Sequence, residues 1–444
     1  MKRNNLLLLI TFLTVFIFLG FFAVYSLNSM EKNQYLPNQD NFNKLKLNIT
    51  ETYSNWTYNA GTGVICIDMS RDGLYIIAGC FNGSLILFHR SSSTPIWKAY
   101  AGDYVHSVSI SANGEYIVAG GNGQILYLFS KESSTPIWTK ALNTDIRCVV
   151  ISANGEYIAS GGVDGVLWVF NTSSSTPLWT YNVGGEMNMD YIAISDNGSY
   201  IACGSREPSN KLYLFRIDSS TPIWTYTTGY RAENTAISSD GSYIVCGSAD
   251  KNLYFFHKSS STPLWSFTAG EYIDMVSISG DGSYIVAGSM DNNLYVFNKN
   301  SSTPMWNYHF GSKPEASVIS QDGKYIVSVT TSGQIGYFSI DNSTPLYFAD
   351  NGTYFNDAAI SSNGHQITYV DIYGNTVSHL AFKKEIITIL EFNATINTIQ
   401  GENCNIFLNI ENYQSAPILV NISLTSSAFE SVKLNNVTLK NETN

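Results

Sequence analysis

The unit Thr-Pro-X-Trp recurs along the chain at near-constant spacing, and no other feature restricts the fold as tightly. Trp97, Trp138, Trp179, Trp224, Trp265 and Trp306 each follow Thr-Pro-X, Tyr347 holds the slot once, and Trp56 sits one period upstream without the Thr-Pro. Successive spacings are 41, 41, 41, 45, 41, 41 and 41 residues. A fixed period of this length means one supersecondary unit packed on copies of itself.

The segment from Tyr104 to Trp138 shows what is repeated. Val105 to Ser111 reads as an apolar strand, Asn113-Gly114 as a tight turn, and Tyr116 to Ala119 as a second strand. A glycine-rich turn leads to a third strand, Ile125 to Phe129, and a polar turn leads to Pro136-Ile137-Trp138. The turn glycine recurs at Gly73, Gly114, Gly155, Gly198, Gly241, Gly282, Gly323 and Gly364, each after Asn or Asp, as a hairpin needing positive φ requires. Stretches such as Ser-Tyr-Ile-Val-Cys-Gly and Leu-Tyr-Phe-Phe carry apolar residues on both strand faces, so each sheet is covered on both sides.

Four-stranded sheets at this period, each packed on the next, predict an all-β fold, a β-propeller of four-stranded antiparallel blades. In that arrangement the Thr-Pro turn delivers the chain to the outermost strand, where proline forfeits no ladder bond. Trp56, Trp97, Trp138, Trp179, Trp224, Trp265, Trp306 and Tyr347 then read as packing between blades, each ring worth roughly 2 to 3 kcal/mol by buried area.

Eight inner units face only seven Thr-Pro strands. The last unit, from Asn356 to Phe382, has no fourth strand, and Trp56 to Ala60 forms a lone fourth strand with no blade before it. The expectation is an eight-bladed propeller over residues 54–382, with residues 54–60 closing the last blade and removing the ring's open edges.

At ISANGEYIVAGG, the third-strand LYLF and the fourth-strand TPIW, the chain resembles the WD-repeat and quinoprotein-like (PQQ-like) propeller repeats of cell-surface proteins. The resemblance covers about three quarters of the chain and implies a ring that either binds partners or carries a quinone cofactor. Two departures matter. The recurrent Gly-His and Trp-Asp dipeptides of WD repeats are missing, Gly-His occurring once, at Gly364-His365 of a hairpin, although Asp164, Asp250 and Asp291 stand where those repeats carry their aspartate. The adjacent-cysteine pair and CxxCH site of many quinoprotein dehydrogenases are absent as well.

The flanks carry other signals. Lys2 and Arg3 precede an apolar run from Leu6 to Tyr25, long enough to span a bilayer as a helix and oriented to leave the bulk of the chain outside. Residues 1–26 therefore read as a single-pass signal-anchor and residues 27–53 as a polar linker, with secretion after cleavage at Ser26 the alternative. Asn-X-Ser/Thr sequons, among them Asn55, Asn171, Asn300 and Asn342, fit an extracellular glycoprotein. Residues 385–444 lose the period and look like an immunoglobulin-like β-sandwich, short enough to be partial.

The net charge of −11 excludes a phosphate-binding surface, hence nucleic acid. Cys66, Cys80, Cys148, Cys203, Cys246 and Cys404 show no metal-ligand spacing and read as small core residues. No nucleophile elbow, HExxH, phosphate loop or dinucleotide fingerprint is present, and the six histidines are scattered, so no catalytic residue, cofactor-binding residue or metal ligand is assigned and the chain is read as a non-enzyme. The hairpins account for the Asn-Gly and Asp-Gly pairs without calcium, which stays a minor alternative.

One column varies while its surroundings repeat. Eight residues before each hairpin glycine stand Ile65, His106, Arg147, Asp190, Glu233, Asp274, Glu315 and Asn356. Strand alternation places this column on the side of the apolar residues four and six before the glycine, ringing one mouth of the channel. Its acidic arc, Asp190 to Glu315, suits a cation or basic partner. The fourth repeat's extra residues, near Glu186 to Asn188 and Arg206 to Lys211, mark the same face. The reading is a membrane-anchored extracellular scaffold that binds protein or glycan at the channel mouth. The alternatives are a quinoprotein-like dehydrogenase with PQQ and calcium in the channel and a structural envelope component.

Overall fold

The computed structural model describes residues 49–184, 192–385, 389–395, 405–410, 419–426 and 429–438. The apolar N-terminal run and Asp190 lie outside the described residues. Among them no helix is long and apolar enough to cross a membrane.

Residues 52–382 form one compact unit containing eight four-stranded antiparallel sheets. The first blade has Val64–Met69 innermost, then Tyr75–Cys80, Ser84–His89 and, outermost, Trp97–Tyr100. The eighth runs Phe355–Ile360, Gln366–Asp371 and Thr376–Glu385, and its outermost strand is Ile49–Asn59 from the other end of the chain. The expected eight-bladed ring is thus present, with its ends joined in one sheet. The remaining described residues form two strand pairs, Ile389–Thr395 with Asn405–Ile410 and Leu419–Ser426 with Phe429–Thr438. Two strand pairs do not make the expected immunoglobulin-like sandwich, and the rest of residues 385–444 lies outside the described residues.

Cohesion between blades comes from the repeated aromatic slot. Each indole N–H donates to a carbonyl of the following blade: Trp56 to Arg90, Trp97 to Lys131, Trp138 to Thr172, Trp179 to Ile217, Trp224 to Lys258, Trp265 to Lys299 and Trp306 to Ile340, all at 2.6–2.9 Å. Each ring also packs on a fully buried phenylalanine of that blade, as Trp97 does on Phe129 at 5.6 Å. Apolar area and a satisfied polar tip therefore act at one residue per blade. Tyr347, in the same slot, packs instead on Phe382 at 5.2 Å.

The hairpin glycines answer two demands. Gly241 has φ +72°, and a Cβ there would lie 2.4 Å from Cδ2 of Tyr200 in the preceding blade. The turn needs the left-handed backbone and the neighbouring ring needs the empty space. A buried serine three residues before each glycine completes the hairpin, Ser238 Oγ accepting from Tyr243 N at 3.0 Å and donating to Asp240 at 2.8 Å.

Candidate functional site

The two ends of the channel are built differently. At the hairpin end, backbone hydrogen bonds run from blade to blade around the whole ring: Arg71 to Ala112, Ala112 to Ala153, Asn154 to Asp196, Asp196 to Ser239, Ser239 to Gly280, Gly280 to Gln321, Asp322 to Ser362, and Ser362 back to Arg71. All are 2.9–3.1 Å long. Arg71 of blade one reaches Asp196 of blade four in a bidentate ion pair across this end, and Ser239 meets Gln321 at 2.9 Å from blade five to blade seven. For side chains so far apart around the ring to touch, they must cross near its axis, so this mouth is bridged.

The other end, here the open mouth, carries no such continuous belt among the described residues, and the variable column stands there on an irregular ladder. In each of the seven blades whose inner strand is described in full, the ladder slips at this residue, for example between Val105 and Ser107 and between Pro314 and Ala316. A β-bulge adds one residue and re-aims its side chain. Ile67, Met69, Val108 and Ile110, four and six before the glycine, enter the cores between blades. Ile65, His106, Glu315 and Asn356 line a cavity in the channel, which Ile67 and Val108 also border.

The column's charges are matched to one another. Glu233 meets Arg231 at 3.0 Å and, through the fourth repeat's insertion, Arg206 at 3.6 Å. Lys313 bridges Asp274 at 2.6 Å and Glu315 at 3.0 Å. Burial works against the Lys313 charge, but the two carboxylates outweigh it and hold its pKa well above the usual lysine range. On the opposite arc Arg147 approaches His106 Nε2 at 2.6 Å, and Asn122 Oδ1 lies 2.7 Å from the same nitrogen. Burial, with the Arg147 charge, lowers the His106 pKa and favours the neutral ring. Asn356 donates to the Ile65 carbonyl at 2.5 Å, tying blade eight to blade one. The described acidic arc is thus a set of compensated pairs, and no group of three or more candidate metal ligands occurs among the described residues.

The cavity measures about 230 Å³ and is walled chiefly by blades eight, one, two and three, with Met275 and Glu315 opposite. Side chains of its wall cap backbone amides of the next blade: Asp68 accepts from Ile110 N, and Asp357 from Ile67 N, both at 2.9 Å. Protein surrounds Asp68 closely, yet the channel still reaches it, so it is partly accessible. Burial raises its pKa to about 6 against the pull of the amides, the Ser109 hydroxyl and Arg71. Neither aspartate stands out in the sequence, because neither belongs to the variable column.

Around the open mouth, the loops ahead of the inner strands and the turns between second and third strands supply aromatic residues that the sequence reading missed. Phe81 packs on Tyr104 at 4.8 Å, Tyr104 on His106 at 4.3 Å, and Tyr354 on Tyr373 at 5.7 Å. Phe81 lies over Gly63, which also approaches the Ile372 carbonyl, so the aromatic residues of blades eight, one and two adjoin. Tyr373 is 78% exposed and Phe81 36%. Their sequence signal is weak, since 29 tyrosines and 23 phenylalanines crowd the chain.

Fold and site together define an eight-bladed β-propeller whose channel is bridged at its hairpin end. The family model described as "Outer membrane protein assembly factor BamB", a PQQ-like repeat model, matches residues 82–308, just over half of the 444-residue chain, and the protein belongs to this family. The C-terminal WD40 domain of Sif2 superposes with a TM-score of 0.63 at 18% identity, covering 75% of this chain and 98% of that one. The Chaetomium thermophilum Sqt1 bound to the N-terminus of the ribosomal protein L10 gives 0.64 at 15%, covering 74% and 98%. The computationally designed Ika8 protein gives 0.62 at 12%, covering 73% and 97%. No curated protein matches in sequence.

Proposed function

We propose that the protein is an interaction scaffold, tethered to a membrane by its N-terminal apolar segment, with the propeller outside the cell and binding a protein or glycan partner at the open channel end. The asymmetry of the channel carries this reading. One mouth is bridged by a hydrogen-bonded belt and the Arg71–Asp196 pair, while the other presents aromatic rings and paired charges to solvent. Supporting it, the structurally similar Sqt1 was solved bound to the N-terminus of the ribosomal protein L10. The exposed sequon residues Asn55, Asn300 and Asn342 are compatible with the outer location.

The cavity argues against the dehydrogenase alternative. At about 230 Å³ it falls below the roughly 300 to 1,000 Å³ of small-molecule and cofactor sites. Of the carboxylates that would hold calcium, the described ones, Glu233, Asp274 and Glu315, are already engaged by Arg231, Arg206 and Lys313.

Photocross-linking tests the binding face. A photoreactive residue in place of Tyr373, at the open mouth, is expected to capture a partner in cells, and one in place of Thr172, in a turn at the bridged end, is not. Equal capture from both ends, or capture from Thr172 alone, refutes the assignment. Protease accessibility of the propeller in intact cells separately tests the outer location.

A further inference from the structure

We propose that the aromatic crescent formed by Tyr354, Tyr373, Phe81 and Tyr104 anchors a polypeptide partner that presents an apolar side chain flanked by lysine or arginine. The proposal rests on the open-end reading above and names the part of that end which binds.

The two halves of the mouth differ in what they leave unsatisfied. Across blades five to seven the charges neutralise one another, Lys313 between Asp274 and Glu315 and Arg231 on Glu233. An incoming partner gains little there, because each new ion pair displaces an existing one. Across blades eight, one and two, the loops expose rings that complete no core: Tyr373 at 78% and Phe81 at 36%, backed by the half-buried Tyr354 and Tyr104. Burying such rings is the main source of affinity in protein interfaces, where aromatic residues and arginine dominate the hot spots.

Geometry favours a polypeptide over a saccharide. The rings are set against one another at 49° for Phe81 and Tyr104, 40° for Tyr104 and His106, and 67° for Tyr354 and Tyr373. Tilted rings make a corrugated surface that grips a protruding side chain, whereas stacking on a sugar uses a flat ring face. Charge complementarity sets the partner's sign. The channel wall of the same blades carries Asp68 and Asp357, Arg147 at the crescent's end has Asp145 3.9 Å away, and the chain's net charge is −11. A cationic side chain beside the apolar anchor gains from that field and from the ring faces.

The test uses the full-length protein and defined ligands: the pentapeptides Gly-Lys-Phe-Lys-Gly, Gly-Glu-Phe-Glu-Gly and Gly-Lys-Ala-Lys-Gly, and chitohexaose, titrated by calorimetry. The Lys-Phe-Lys peptide is expected to bind saturably. The Glu-Phe-Glu and Lys-Ala-Lys peptides should bind about tenfold more weakly or not at all. Tyr373→Ala and Phe81→Ala, both at exposed positions, should each weaken the Lys-Phe-Lys peptide by about fivefold or more, while Leu264→Ala, exposed just ahead of an outermost strand, leaves it unchanged. Equal binding of the acidic peptide overturns the charge argument, and indifference to the crescent variants overturns the location. Binding of chitohexaose in place of the peptides makes the crescent a glycan site, and no binding of any ligand at millimolar concentration rejects it as a docking surface. A partner cross-linked elsewhere on the open face would then leave the broader reading standing.

Discussion

In the closing blade, His379 is fully buried and neither ring nitrogen makes a well-formed hydrogen bond; the hydroxyl of Thr368, directly across the ladder, is unsatisfied too. Other blades fill the His379 slot with apolar residues such as Leu87, which pairs with Ile77 in blade one. Leaving buried polar atoms unpaired costs about 1 to 3 kcal/mol, so His379→Leu should stabilise the propeller by about that much at neutral pH. Burial, with the Arg90 charge, depresses the His379 pKa from 6.5 to about 4. Between those values the unfolded chain binds the proton and the folded chain does not, so stability falls as pH drops from 6.5 to 4, by about 3 kcal/mol in total. Asp68 acts in the opposite sense. Its pKa rises from 3.8 to about 6 on folding, so it favours the folded state at low pH and loses that contribution as pH climbs through 6. The two slopes oppose each other between about pH 4 and pH 6. Urea unfolding followed by tryptophan fluorescence reports this unit, since all eight tryptophans lie between Trp56 and Trp306. His379→Leu should rise in stability relative to wild type as pH falls from 6.5 to 4.5, and Asp68→Asn should fall. A variant-minus-wild-type difference for His379→Leu that stays flat across this range would refute the argument.

Trp224→Phe keeps most of the packing but strands the Lys258 carbonyl, and should cost about 1 to 2 kcal/mol in urea unfolding; no loss would mean that the indole N–H is not a staple. Gly241→Ala forces a Cβ into a φ of +72° and against the Tyr200 ring, and a loss of more than about 1 kcal/mol is expected in the same assay, with a neutral result counting against the two-demand account of the hairpin. Lys313→Met removes the cation between Asp274 and Glu315 and should cost about 3 kcal/mol at pH 7, with partial recovery when Asp274→Asn is added; full stability in the single variant would show that the two carboxylates need no bridge.

Most of the ring was legible in the sequence because its determinants are local and repeated eightfold. The Asn-Gly and Asp-Gly hairpins, the strand lengths and the tryptophan slot each state the same unit, and the shortage of one fourth strand pointed to the pairing of both chain ends in one blade. The site was legible only in part. The variable column falls on a backbone bulge in each inner ladder described in full, and nothing in a residue such as His106 or Glu315 announces that the ladder slips there. Arg231, Lys313 and Arg206 went unread as counter-ions because each belongs to a loop whose path is set by its own blade, while a partner carboxylate can belong to a neighbouring one, as Asp274 of the preceding blade does for Lys313 and Glu233 of the following blade for Arg206.

The bulge also shows how a repeat protein frees one position per blade from the duties of the fold. Residues on the regular ladder serve two blades at once, so a change at Ile67 or Val108 alters a core shared by neighbours, and eight copies constrain one another. The bulged residue is released from that duty, its side chain turned out of the shared core, and the same holds for the loop aromatics Phe81, Tyr354 and Tyr373. Variation therefore collects at the open mouth, where it is cheap for the fold. At the bridged mouth the hydrogen bonds of the belt are made by backbone groups and ask little of the side chains, so the eight positions carry residues as different as Arg71, Ala112, Gly280 and Gln321 without a break in the ring. Side-chain diversity at both ends is thus compatible with one repeated frame, at the column because the bulge takes the side chain out of the ladder and at the belt because the blade-to-blade bonds are backbone ones.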